Sequence, residues 1–101
     1  AVHSADDGRT FGAERVLLKT GMCPCCQLTA TPGAGDALFL GLRHVDDGNR
    51  DSHVMRSDDG GLSFGTPVRI GGALRWKIDG CPLKPTAVAV QGARVYAAAF
   101  N

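Results

Sequence analysis

The fold is decided by the stretch Ser57-Asp58-Asp59-Gly60-Gly61-Leu62-Ser63-Phe64-Gly65, which has a near copy 53 residues earlier, Ser4-Ala5-Asp6-Asp7-Gly8-Arg9-Thr10-Phe11-Gly12. Both copies fit the pattern Ser-x-Asp-x-Gly-x-Ser/Thr-aromatic, and each leads into a β-like run, Arg15 to Leu18 or Val68 to Ile70. In such a turn the Asp carboxylate accepts hydrogen bonds from neighbouring amides, and the Gly adopts a positive φ that other residues resist. Two copies in register predict a repeated β-hairpin.

A second internal match, at an offset of 57 residues, aligns residues 29–44 with residues 86–101. Each copy contains a short strand, a turn with Gly at 32–36 or 91–93, and a longer apolar strand. The 14 Gly and 5 Pro of the chain punctuate it often, and helical periodicity is nearly absent. These features predict an all-β fold of short strands joined by tight turns.

The repeated turn resembles the Asp box, or BNR repeat, of sialidases and related β-propellers, where it joins the third and fourth strands of a blade. The resemblance implies a propeller fragment of about two four-stranded blades in a single module, residues 1–101. Residues 1–20 would supply third and fourth strands, residues 21–72 a full blade, and residues 73–101 first and second strands. It gives structural Asp-box roles to Ser4, Asp6, Gly8, Thr10, Phe11, Ser57, Asp59, Gly61, Ser63 and Phe64.

A propeller needs about 4–8 blades to close its ring, and two blades' worth of strands fall short of that. We therefore expect the chain to be completed by self-association into a homo-oligomer or by the remainder of a longer propeller. Exposed strand edges at both ends of the chain favour such association.

The resemblance also implies that three segments share one face of the propeller, the face where ligand sites usually lie. These segments, residues 21–27, 46–51 and 75–82, carry all four cysteines, the only Trp and a cluster of charges. They further resemble a bacterial group of sialidase-like BNR proteins without an assigned role, which has Cys-x-Cys-Cys-Gln, Arg-Asp and Trp-x-Ile-x-Gly-Cys-Pro segments. The matching residues are Cys23, Cys25, Cys26, Gln27, Arg50, Asp51, Trp76, Ile78, Gly80, Cys81 and Pro82.

Three interpretations of the cysteines stay open. A disulfide from Cys81 to Cys23, Cys25 or Cys26 would stabilise an exported protein, periplasmic or extracellular, by about 4 kcal/mol. Two or more thiolates could instead hold Cu(I) or Zn(II), with Met22 as an additional thioether. A bridge among the clustered thiols with a redox role is the third interpretation. The three can coexist, because one disulfide leaves two thiols free.

The expected function is binding of a ligand, a carbohydrate or a metal, on the face that carries the cysteines. Besides the cysteines, the candidate ligand-binding residues are Arg50, Asp51, Trp76 and Gln27. A guanidinium fork binds anions and an indole stacks on a sugar ring. The alternative is a glycoside hydrolase of the exo-sialidase type that is active only as a complete propeller. Its candidate catalytic residues are Arg43, Arg50, Asp51 and Asp79.

Charge and hydropathy exclude two classes of partner. Eleven basic residues against ten acidic ones leave a formal charge of +1 without a basic patch, so we expect no nucleic-acid partner. No apolar run approaches the roughly 20 residues that a spanning helix needs, so we expect no membrane span. No charged-then-apolar leader opens the chain, so any signal peptide is expected to have been removed or never to have existed.

Overall fold

Six strands form two antiparallel sheets, and no helix is present in residues 1–71 and 75–100, the part of the chain that this computed structural model describes. The all-β prediction is confirmed. The first sheet has the order β1-β2-β3-β4, with β1 at Thr29–Pro32, β2 at Leu38–Asp46, β3 at Asn49–Ser57 and β4 at Val68–Arg69. The second sheet pairs β5, Ala87–Gln91, with β6, Arg94–Ala98.

The two tightest hairpins have turn residues that suit their backbone. Asp47 and Gly48, between β2 and β3, have φ values of 47° and 72°. Two positive φ values in a row are typical of a type I′ turn, which matches the right-handed twist of the strands it joins. Gly92 supplies the single positive φ, 58°, between β5 and β6. The β2–β3 turn sets the register of that strand pair, in which Leu40 lies opposite Met55.

The core lies on one face of the four-stranded sheet. Leu40, Leu42 and Met55 are buried there, since residues two apart on a strand share a face. Leu17, Leu18 and Phe64 pack against them, which brings the N-terminal segment onto this face. The opposite face carries the second sheet.

The second sheet approaches the first very closely at Gly41. A Cβ atom at this position would lie 2.5 Å from the carbonyl oxygen of Thr86, so only Gly fits without a backbone shift. Thr86 is fully buried and donates its hydroxyl to the carbonyl of Leu42 at 3.1 Å. The Thr31 hydroxyl donates to the carbonyl of Val88 at 2.9 Å. Side chains of β1 thus tie the two sheets together.

Residues 1–20, for which we predicted third and fourth strands, contain no strand. Residues 1–15, here called the first hairpin, nevertheless repeat the shape of residues 54–68, the second hairpin. Gly12 donates its amide to the carbonyl of His3 at 2.8 Å, as Gly65 does to that of Arg56 at 2.8 Å. A two-stranded ribbon without a third strand is only marginally stable, which explains why the ladder stops at these few bonds. The predicted boundary between residues 72 and 73 lies outside the described residues.

The two repeated turns close with the same hydrogen bonds. The Asp59 carboxylate accepts bonds from the amide of Ser63, at 2.8 Å, and from its hydroxyl. Gly61 adopts a φ of 87°. The first hairpin makes the equivalent bonds on Asp6, and Gly8 has a φ of 80°. The roles that the pattern predicted for Asp and Gly in the turn are therefore present in both copies.

These turns make the protein sensitive to acid. The pKa of Asp59 is lowered from 3.8 to about 2, first by the hydroxyl of Ser63 and then by its amide and the Ser57 hydroxyl. Because the folded pKa lies below the unfolded one, the stabilisation is complete above about pH 4 and is lost as the pH falls towards 2. We expect Asp59→Asn to flatten the dependence of Tm on pH across this window, as measured by circular dichroism. The control Asp47→Asn removes an exposed carboxylate from the β2–β3 turn and should keep the wild-type slope; equal slopes for all three proteins would contradict the prediction.

Candidate metal centre

Three segments meet at one end of the four-stranded sheet. Residues 21–27 lie along the end of β2, where the amide of Cys23 donates to the carbonyl of Arg43 at 3.1 Å. Residues 75–81 lie along the start of β3, where the amide of Arg50 donates to the carbonyl of Trp76 at 2.7 Å. The β2–β3 turn lies between them. The sequence features assigned to one face therefore come together in space.

The four cysteine sulfurs form one cluster at this end. Cys25 and Cys81 are joined in a disulfide, with their Cα atoms 6.6 Å apart. Cys23 and Cys26 are free and buried, and a hydrogen bond joins their sulfurs at 3.2 Å. The Cys23 sulfur lies 3.8 Å from that of Cys81 and 3.9 Å from that of Cys25. The Cys26 and Cys81 sulfurs are 3.6 Å apart. Of the pairings that the sequence left open, the structure selects Cys25 with Cys81.

These separations are close to those that a thiolate metal site requires. Tetrahedral coordination with a metal–sulfur distance of about 2.3 Å places neighbouring sulfurs about 3.8 Å apart. The sulfurs of Cys23, Cys26 and Cys81 all lie within 4.8 Å of one another and could hold one ion. Cys81 belongs both to the disulfide and to the three-thiolate set. The chain can therefore form only one of the two at a time.

Charge and hydrogen bonding favour the thiolate form at Cys23. Its burial alone would raise the pKa, but hydrogen bonds from Cys26 and from the amides of Cys25 and Cys26, together with the charge of Arg50, lower the pKa of Cys23 overall. The Arg50 guanidinium donates to the Cys23 sulfur at 3.6 Å. Burial and then the neighbouring Cys23 raise the pKa of Cys26. A reduced, metal-free pair would therefore carry its first negative charge on Cys23, next to Arg50.

Two of the predicted catalytic residues, Arg43 and Asp51, are buried and contact the segments that form the site. Arg43 is 1% exposed, and its guanidinium donates to the carbonyls of Arg50 and Phe100 and lies 5.0 Å from the Trp76 ring centroid. Asp51 is 2% exposed and accepts a hydrogen bond from the Trp76 amide at 2.9 Å. Both side chains fasten residues 75–81 to the sheet.

The remaining predicted residues lie further out. Gln27 and Asp79 are exposed, and Trp76 is half-buried with its ring 6.2 Å from that of Phe100. Sequence reasoning missed Arg69, whose Nε lies 3.3 Å from the second carboxylate oxygen of Asp51. Arg69 lies in the β-like run Val68 to Ile70 that follows the second repeated turn, and this strand pairs directly with β3.

Comparison of the chain with protein-family models, with curated proteins and with solved structures gives no match. No helix among the described residues has the length and apolar character needed to cross a bilayer. The chemistry of the site therefore rests on its own residues, above all on the sulfur cluster.

Proposed function

We propose that this chain is a metal-binding module that holds one soft ion, Cu(I) or Zn(II), on the thiolates of Cys23, Cys26 and Cys81. The observation that carries the proposal is the set of sulfur–sulfur distances, 3.2, 3.6 and 3.8 Å, among these three residues. Thiolates are the ligands that soft metals prefer, and burial of Cys23 and Cys26 keeps competing water away from the ion. Arg50 offsets part of the negative charge that three thiolates bring together.

The metal-binding state requires reduction of the disulfide. A dithiol reductant would supply two electrons and two protons, become a disulfide itself, and leave Cys25 and Cys81 as thiols. Binding of the ion would then displace the protons of Cys23, Cys26 and Cys81 as the three thiolates form. Cys25 would remain beside the site as a free thiol. A disulfide oxidant, which would take up the two electrons and two protons and become a dithiol, would re-form the Cys25–Cys81 bridge and release the ion.

The surrounding architecture is, on this proposal, that of an Asp-box propeller. The two equivalent turns and the face-to-face packing of the two sheets support assigning the four-stranded sheet as one blade and β5–β6 as half of the next. The thiol site would then lie on the face of the propeller where ligands bind. A disulfide persists in oxidising surroundings, which supports placing the protein outside the cytoplasm, where it would bind the ion only after a dithiol reductant has opened the bridge.

Metal analysis of reduced and oxidised protein tests the proposal. We expect the reduced chain, incubated anaerobically with Zn(II) or with Cu(I) and then desalted, to retain about one ion per chain by mass spectrometry of the metal. The oxidised chain should retain none. Cys23→Ser should lose the ion, whereas Cys25→Ser, the matched control, should retain it because Cys25 lies outside the three-residue set. If the reduced, folded wild type retained neither Zn(II) nor Cu(I), the proposal would be refuted.

A further inference from the structure

The outer edge of β6 has no strand beside it in the described chain. All five residues of β6 are exposed. The two-residue turn at Gly92 makes Gln91 and Arg94 a hydrogen-bonded pair, and antiparallel pairing alternates from there. The amide and carbonyl groups of Val95 and Ala97 therefore point away from β5, towards the open side. Such an edge is ready to accept another strand.

The first hairpin exposes apolar side chains whose counterparts in the second hairpin are buried or half-buried. Phe64 of the second hairpin packs against the core, but its counterpart Phe11 is 62% exposed. Met55 is 2% exposed, and its counterpart Val2 is 53% exposed. Because the two hairpins make the same hydrogen bonds, the difference in side-chain exposure comes from a neighbouring strand, which the second hairpin has and the first hairpin lacks in the described chain.

The strand beside the second hairpin is β2, and β6 is the repeat of β2 at the offset of 57 residues. In the four-stranded sheet Leu40 of β2 lies opposite Met55 of the second hairpin. At the two repeat offsets, Leu40 corresponds to Ala97 and Met55 to Val2. Transfer of the whole observed register pairs Val95 with Ser4, Tyr96 with His3, Ala97 with Val2 and Ala98 with Ala1.

We infer that the edge of β6 binds the first hairpin of a second copy of this chain in this register. An apolar cleft of about 320 Å³ lies beside β6 and is lined by Val54, Val68 and Ala97, among others. Val68 is 65% exposed in it. Directly opposed residues share a face of a sheet, so the neighbour's Val2 would enter this cleft beside Ala97. Each copy carries one β6 edge and one first hairpin, so association between them is head-to-tail and closes a ring or extends a chain.

Complementation between two proline variants tests the register. Ala97→Pro removes an amide that points to the open side of β6, and Val2→Pro removes the matching amide of the hairpin; Pro is tolerated at such edge positions. We expect the oxidised wild type to form oligomers whose mass rises with concentration, as measured by size exclusion with light scattering. Each variant alone should be a monomer with wild-type circular dichroism. An equimolar mixture should give a one-to-one heterodimer that grows no further.

Two outcomes would overturn the inference. One is a wild type that stays monomeric over a hundredfold range of concentration, and the other is Ala97→Pro assembling as the wild type does. Phe11→Ala provides a second measurement that does not depend on proline. Since Phe11 is exposed in the single chain, its loss should raise the apparent dissociation constant at least about tenfold without lowering the stability of the monomer. Phe64→Ala should instead lower that stability.

Discussion

Cys81→Ser is expected to lower the free energy of unfolding of the oxidised protein by about 4 kcal/mol and to abolish metal binding by the reduced protein. The first effect follows from the 56-residue separation that the Cys25–Cys81 bridge spans, because closing a long loop restricts the unfolded chain. The second follows because Cys81 is one of the three metal-ligand candidates. Urea unfolding with and without a reductant measures the first effect, and metal retention measures the second.

Cys25→Ser separates the two roles. It removes the same bridge but leaves Cys23, Cys26 and Cys81 in place, so metal binding should survive. Its oxidised form should lie between wild type and Cys81→Ser in stability, because the Cys23 sulfur, 3.8 Å from that of Cys81, can form a substitute bridge. Under reducing, metal-free conditions all three proteins should unfold at nearly the same urea concentration. Retention of metal by Cys81→Ser would contradict the ligand assignment.

Arg43→Leu is expected to lower the free energy of unfolding by about 3 kcal/mol or more. The guanidinium is 1% exposed and donates to the carbonyls of Arg50 and Phe100. A hydrogen bond to a charged group contributes about 1.5–3 kcal/mol, and the substitution leaves two acceptors without these donors. For a chain of this size the Tm should fall by more than about 10 °C, as measured by circular dichroism.

Arg50→Leu is the matched control for Arg43→Leu. Arg50 is only half-buried, and its guanidinium donates to the Cys23 sulfur, so its loss should lower the free energy of unfolding by about 1 kcal/mol or less. It should weaken metal retention more than stability, because it removes a positive charge beside the thiolates. Arg43→Leu with wild-type stability but no ligand binding would reverse our assignment and make Arg43 a ligand-contacting group.

Much of the fold follows from the sequence because its signals are local. The Asp59 carboxylate finds its partners within four residues, so the pattern alone predicts the turn. The Asp47-Gly48 pair likewise specifies its hairpin. The two repeat offsets predict where β1, β2, β5 and β6 lie. A strand needs a neighbour, however, and the first hairpin lacks one within the described chain, so the strands predicted in residues 1–20 do not form.

The candidate site was predictable in membership but not in arrangement. The clustering of Cys23, Cys25 and Cys26 with a distant Cys81 indicated a thiol site, but the choice of bridge depends on separations of a few ångströms that no spacing rule gives. The sequence predicts Arg43 as a candidate catalytic residue and gives no sign of its burial, because charged side chains usually face water. Its burial results from long-range contacts with Trp76 and Phe100, which lie far along the chain.

The close approach at Gly41 bears on the chemistry of the cysteines. Cys81 precedes the buried Thr86 by five residues, and Thr86 is anchored on Leu42 next to Gly41. The distance between the two sheets at Gly41 thus helps to position the segment that carries Cys81 near the Cys23–Cys26 pair. Any side chain at position 41 would force the backbone at Thr86 to shift, and the segment that begins at Cys81 is attached to the sheet through that residue.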